Sequence, residues 1–266
     1  MKVLLINPPQ SFYPGSEPPL GNLPLGLMYL AAVLDHEGFK VEILDAFMTA
    51  STIQREANKI VVGMPNAQII EEIKNRNPSI VGIAGPFSSQ IENTLMISEI
   101  VKQVNPNILT IVGGPHVTTI PKEFLLEAKN VDIAVMGEGE YAMLEIAQYF
   151  EGKKELKDIK GIAYRQEGEV IVNQSRPFIE NLDELPYPAY HLVDMENYLS
   201  NKQIGYRSFQ NRAIPMITSR GCPFNCCFCA VHLHMGQGFR AHSAEYVLDH
   251  IQHVVEKYKV KNIFVH

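Results

Sequence analysis

Short runs dominated by valine and isoleucine recur through the first 150 residues, at 2–6, 41–44, 80–84, 108–112 and 131–135. Such runs read as strands covered on both faces, not as strands with one face in water. Amphipathic stretches with helix punctuation lie between them. Residues 25–37 open after Pro24 and close at Gly38, 67–76 follow Asn66, and 91–104 stop before Pro106. Stretches 121–128 and 141–150 complete the set. Strand and helix alternating five times predict an α/β fold built on a doubly wound parallel sheet. Its ligand crevice should lie beyond the carboxyl ends of the strands.

The loops at those ends share a composition. Asn7-Pro8-Pro9 through Pro24-Leu25-Gly26, Gly85-Pro86-Phe87-Ser88-Ser89, Gly113-Gly114-Pro115-His116 and Gly137-Glu138-Gly139-Glu140 each follow an expected strand. Glycine there lets backbone approach a flat or bulky ligand closely, and four such loops in register point to a pocket. A response-regulator-type domain would share the pattern, but its acidic phosphate-accepting cluster is missing.

After residue 150 the pattern changes. Runs 161–164 and 170–172 flank Gln166-Glu167-Gly168-Glu169 and read as a hairpin, and a proline-bearing connector follows from Asn181. Lys153 and Lys154, beside Glu151 and Glu155, read as a solvated face. Residues 213–219 predict a strand that delivers Arg220-Gly221-Cys222 to its carboxyl end. Ser243 then caps a helix over 244–258, and 262–266 predict a further strand. The expected organisation is 1–150, a hairpin and linker over 151–212, and a second module over 213–266.

All four cysteines fall between 222 and 229. Cys222, Cys226 and Cys229 can hold three irons of a cubane cluster, leaving the fourth iron open to bind and reduce something. Cys227 is a spare thiol or a small packing residue. A zinc site on Cys226 and Cys229 with His232 or His234 is the rival, but it must ignore Cys222 or Cys227. Disulfides would need cysteines spread along the chain and a secretory context. Composition narrows the classes further. Of the 266 residues 46% are hydrophobic, ample for buried cores, and none is tryptophan. A net charge of −6 and a pI near 5.9 argue against binding nucleic acid through phosphates, and no apolar run reaches the ~18 residues that span a bilayer. A cytoplasmic protein is expected.

The cysteine stretch, with Gly221 before it and Phe228 inside it, resembles the signature of the radical S-adenosylmethionine (SAM) superfamily. The resemblance implies a [4Fe-4S] cluster on Cys222, Cys226 and Cys229, with S-adenosylmethionine on the open iron, split to a 5'-deoxyadenosyl radical. It also implies a partial barrel of strand–helix units. Arg240 and Ser243 match the superfamily's Arg-x-Arg-Ser stretch, with His242 replacing the second arginine. The strand-end loops resemble the Rossmann or flavodoxin-like cobalamin-binding domain that precedes the radical module in the branch of the class B methyltransferases and the anaerobic Mg-protoporphyrin ester cyclases. The matching residues are Pro24-Leu25-Gly26-Leu27 with Leu30-Ala31-Ala32, Gly113-Gly114-Pro115-His116 and Gly137-Glu138-Gly139-Glu140. Ser88 or Ser89 and the Gly113-Gly114 pair also match two parts of an older cobalamin signature. Its third part, which supplies a histidine to cobalt, is absent, because 7–15 contains no histidine. His116 could stand in, although a histidine beside a glycine turn is more often a hydrogen-bonding loop residue.

The resemblance thus places Pro24, Leu25, Gly26, Ser88, Ser89, Gly113, Gly114, Gly137, Glu138, Phe228 and Arg240 with the cofactors and names no catalytic side chain. It implies methyl transfer or cyclisation on an unactivated carbon of a small-molecule substrate, with an electron donor such as flavodoxin or ferredoxin. The contrasting reading is a cobalamin or tetrapyrrole carrier without catalysis. A barrel needs on the order of 200 residues. Only 54 follow from Ala213, so a fragment is expected, with the acidic motif that engages the SAM amino group lying beyond His266.

Overall fold

The computed structural model describes residues 1–15, 23–48, 52–55, 58–200 and 212–266. Part of the first strand-end loop (16–22) and the end of the connector (201–211) therefore lie outside the described residues. The chain begins with β1 (Lys2–Asn7), β2 (Gln10–Phe12), α1 (Leu25–His36), β3 (Lys40–Asp45), β4 (Thr52–Arg55), β5 (Ile60–Gly63) and α2 (Asn66–Arg76). It continues with β6 (Ile80–Ala84), α3 (Ile91–Val104), β7 (Leu109–Gly113), α4 (Pro115–Thr119), α5 (Pro121–Glu127), β8 (Ile133–Val135) and α6 (Glu140–Phe150). The hairpin β9 (Ile162–Gln166) and β10 (Glu169–Val172) follows, then α7 (Met195–Ser200). The last elements are β11 (Ala213–Met216), β12 (Ser219–Arg220), α8 (Val231–Met235), β13 (Arg240–Ala241), α9 (Ala244–Tyr258) and β14 (Asn262–Val265).

The main sheet runs β10-β9-β8-β7-β6-β1-β3, and its five central and distal strands from β8 to β3 are parallel, as expected. Strand β1 shows why the sheet is buried on both sides. Val3 and Leu5 enter one apolar cluster with Met28, Ala31 and Ile146, while Leu4 and Ile6 enter another with Ile69, Ile73 and Ile97. Successive side chains point to opposite faces, so helices α1 and α6 cover one face and α2, α3 and α5 the other.

Two features differ from the sequence-based expectation. The hairpin is not a separate connecting unit: β9 pairs antiparallel with β8, so the sheet continues to residue 172. Its apolar residues Ile162, Ala163 and Tyr164 are buried there, which a local hairpin pattern cannot reveal. The turn itself is two residues, Glu167 and Gly168, both with positive φ (52° and 85°), as a tight hairpin twist requires. The other difference is a small antiparallel sheet, β2-β5-β4, from segments with no strong strand pattern. It is pinned to the main domain by Gln90, whose amide bonds the Ser11 backbone in both directions at 2.8 and 2.9 Å.

The 213–266 module is a strand–helix–strand unit in which β11 and β14 pair in parallel across α9. Ser243 caps α9 as expected, its hydroxyl accepting from the Tyr246 amide at 3.1 Å. Ile214, Met216, Val254 and Val260 belong to the same apolar cluster as Val3 and Leu5, so the core runs unbroken from the sheet into the module. Among the described residues no helix is long and apolar enough to cross a membrane.

Buried polar groups fasten the connector. Asp45, at the end of β3, accepts from Asn7 Nδ2 at 2.8 Å, the amides of Phe47 and Met48, and the Tyr198 hydroxyl. Replacing Asp45 by Ala strands these donors, and unfolding stability should fall by about 3 kcal/mol, measurable by urea titration.

His250 on α9 is 1% exposed, stacks at 4.4 Å on Tyr187, and lies 3.0 Å from the Tyr190 hydroxyl. Burial pushes its pKa down to about 4, with His253 and His242 adding to the effect. The unfolded chain therefore takes up this proton near pH 6.5 and the folded chain only near 4. Stability is fully present above 6.5 and is lost as pH falls through that window. The loss specific to wild type, relative to His250→Gln, should reach on the order of 3 kcal/mol by pH 4 in matched denaturant titrations.

Candidate functional site

A cavity of about 370 Å³ opens at the carboxyl ends of β1, β6, β7 and β8. Its wall combines Pro24, Leu25 and Gly26 at the start of α1, Gly85 and Pro86 after β6, Gly113 and Gly114 after β7, and residues 137–140 after β8. The far wall comes from the second module: Ile217, Arg220, His234 and Met235. The glycines are needed as glycines. Gly114 has φ +129°, and a Cβ there would lie 2.4 Å from the Gly85 carbonyl oxygen, while the Gly85 amide donates to the Gly113 carbonyl at 2.7 Å. The two loops zip together without side chains and leave bare backbone along the cavity.

The sequence-predicted residues divide. Pro24, Leu25, Gly26, Gly113, Gly114, Gly137 and Glu138 line the cavity; Ser88, Ser89, Phe228 and Arg240 do not. Ser88 and Ser89 sit in a 3-10 turn beyond Pro86, where the Ser88 hydroxyl lies 2.8 Å from His116 Nδ1. His116 lies in the first turn of α4, not in a loop, is hydrogen-bonded and edge-on to Phe124, and burial lowers its pKa. Sequence reasoning missed Tyr29, whose hydroxyl is buried in the cavity wall with no hydrogen-bond partner among the described residues. Burial pushes that hydroxyl up to about 12, so it stays protonated, and the Arg220 guanidinium lies 5.3 Å above its ring.

Glu138 does more than line the cavity. Its carboxylate accepts from Arg220 Nη1 at 3.0 Å, from Arg240 Nη1 at 3.0 Å and from the Ile179 amide at 2.7 Å. Arg220 Nη2 also donates to Glu140 at 2.7 Å. Burial disfavours the Arg220 charge, but Glu140 and Glu138 outweigh it and raise its pKa. Arg240 lies over the Phe178 ring at 5.1 Å. Sequence gave one signal for Arg220: it immediately precedes Gly221-Cys222.

The cysteine loop leaves this ion cluster through Gly221, at φ +88°, where a Cβ would lie 1.9 Å from the Gly238 carbonyl oxygen. The Cys222 amide donates to Gly236 at 3.2 Å and that of Cys229 to Cys226 at 3.0 Å. All four cysteines are free; Cys226 and Cys227 are exposed, Cys222 and Cys229 half-buried, and Phe228 is 88% exposed. Among the described residues no three His, Cys, Asp or Glu side chains gather around one metal ion. Three free thiols on one short, turn-rich loop fit a cluster whose insertion draws the ligands together. His232 and His234 sit on α8; His234 lines the cavity, with Nδ1 3.2 Å from the Ala230 carbonyl.

A glycine-rimmed cavity at the ends of a doubly wound parallel sheet, walled on its far side by a cysteine-bearing strand–helix module, resembles the layout of a corrinoid domain joined to a radical SAM module. Residues 21–147 match the B12 binding domain family. The whole chain is similar to an uncharacterized methyltransferase of Pyrococcus horikoshii, 33% identical over 99% of this chain and 52% of that protein. It is also similar to the anaerobic magnesium-protoporphyrin IX monomethyl ester cyclase of Rubrivivax gelatinosus, 30% identical over 98% of this chain and 44% of that one. The fold matches the cobalamin-dependent S-adenosylmethionine radical enzyme OxsB, solved with aqua-cobalamin and S-adenosylmethionine bound. That match has a TM-score of 0.75 at 23% identity, over 99% of this chain and 33% of OxsB. The chain thus resembles radical SAM proteins that carry a cobalamin-binding domain. It spans about half the length of the curated relatives it matches.

Two substitutions separate loop geometry from ligation. Gly221→Ala cannot keep the left-handed turn beside Gly238, at a strain of about 1–3 kcal/mol before the clash, so iron retained after anaerobic reconstitution should fall sharply. Cys227→Ala should retain wild-type iron and sulfide content. Both are read by iron and sulfide analysis.

Proposed function

We propose that the chain forms part of a radical SAM enzyme that works with cobalamin to transfer a methyl group to, or close a ring on, an unactivated carbon of a small molecule. One observation carries the reading: the glycine-rimmed cavity and the cysteine loop share a wall, since Arg220, His234 and Met235 from the loop's flanks line the space over the strand ends. When bound, the cluster would supply the electron that splits S-adenosylmethionine, and the corrinoid would supply a carrier for methyl or electrons.

The chain's own residues hold and shield. Cys222, Cys226 and Cys229 would ligate three irons. Backbone at Gly85, Gly113 and Gly114 offers a wide planar ligand a surface free of side chains, and Leu25, Leu27 and Met143 keep that space apolar. Tyr29, protonated, retains a hydroxyl for a polar substituent of the ligand. The exposed tip at Cys226, Cys227 and Phe228 leaves an approach for a protein electron donor of the flavodoxin or ferredoxin kind.

Anaerobic reconstitution should give a brown protein with about four irons per chain, and hydroxocobalamin should bind with a shift of its visible spectrum. Colourless protein that still binds hydroxocobalamin would turn the assignment to a corrinoid carrier. Brown protein with no hydroxocobalamin binding would remove cobalamin from the reading.

A further inference from the structure

The cysteine loop has a neck. Strands β12 and β13 pair Arg220 with Arg240, so residues 221–239 leave and return at one point. Both arginines end on the same carboxylate, that of Glu138, which belongs to the sheet domain. The side chains of Glu138, Arg220 and Arg240 are 5%, 7% and 13% exposed, so water replaces none of these bonds cheaply. Arg240 Nη2 also donates to the Met235 carbonyl at 2.7 Å, tying in the part of the loop that lines the cavity.

Glu138 is in turn held by its own loop. Gly137 takes φ +71° and donates its amide to the Thr118 hydroxyl at 3.0 Å, and a Cβ on Gly139 would press within 3.2 Å of Leu30. Gly137, Glu138 and Gly139 all line the cavity. A ligand lying on this loop therefore bears on the carboxylate that the two neck arginines share.

We propose that Glu138 is a positioning residue that couples corrinoid binding to the cluster loop, an inference that rests on the cofactor reading above. Its carboxylate is engaged by Arg220, Arg240 and the Ile179 amide, and it acts through the two arginines. Coupling between two binding sites is reciprocal, so the cluster must tighten hydroxocobalamin by the same factor as hydroxocobalamin tightens the cluster.

The test is the hydroxocobalamin Kd of the purified chain, measured by anaerobic spectrophotometric titration with and without the reconstituted cluster. In wild type the cluster should tighten binding by about tenfold, within the usual range for such couplings. In Glu138→Gln both cofactors should still bind, with the ratio of the two Kd values near one. A brace serving stability alone would lower the unfolding midpoint and leave that ratio unchanged. Should Glu138→Gln not fold, Arg240→Met decides, since it leaves the Glu138–Arg220–Glu140 set intact and should also abolish the ratio. A wild-type ratio of one, or a tenfold ratio preserved in either variant, overturns the coupling while leaving the cofactor assignment standing. Failure of wild type to bind hydroxocobalamin at all overturns the corrinoid assignment and the coupling with it.

Discussion

Four charges meet below the surface where the sheet domain faces the module: Glu138 and Glu140 from one side, Arg220 and Arg240 from the other. Removing charged groups from water costs several kcal/mol each, and only close, well-directed partners offset it. Guanidinium forks provide such direction, so two planar cations fix two carboxylates in orientation as well as distance. The connector joins the same arrangement through the Ile179 amide, and Arg240 bonds the Ile179 carbonyl. Three stretches of chain distant in sequence are thereby held at one point. The position of the cysteine loop over the strand ends depends on it.

Apolar packing sets the wider frame. Ile214 and Met216 of the module share a cluster with Val3 and Leu5 of the sheet, bridged by Ala189 and Tyr190 of the connector. Non-directional burial brings these parts together but tolerates small rotations; the buried ions restrict them. Asp183 adds a further restraint by accepting from the Ser243 amide and His242 Nδ1, each at 3.0 Å, fastening the connector to the first turn of α9.

Much of this was legible in the sequence, and the boundary of legibility is physical. The parallel strands and α1, α3 and α9 were readable because period, proline and cap agree locally, as at Pro24, Pro106 and Ser243. The glycine loops were readable as cavity rim because backbone requirements are written in residue type. The pairing of β9 with β8 was not readable, since it depends on an edge supplied by a strand of only three residues. Nor was β2-β5-β4, which is held by long-range contacts of Gln90 and Asn93 with Ser11 and by packing against Phe47. Glu138 and Arg240 were singled out as cofactor contacts, and the structure shows them bonded to each other. Sequence reveals that a charge is present, but its partner is settled by tertiary packing. Ser88 failed as cavity lining for a related reason: the chain turns away at Pro86, and the hydroxyl finds His116.

The edge hairpin carries a practical consequence. Strand β9 runs opposite to β8, so the Glu167-Gly168 turn emerges at the amino-terminal pole of the sheet, away from the cavity and the cysteine loop. The tip is exposed and its two left-handed residues are a local matter of the turn. Exposed loop tips of this kind accept inserted sequence. That pole is the natural attachment point for an affinity handle or a fluorophore, from which a donor–acceptor pair could follow cofactor loading at the opposite pole without touching it.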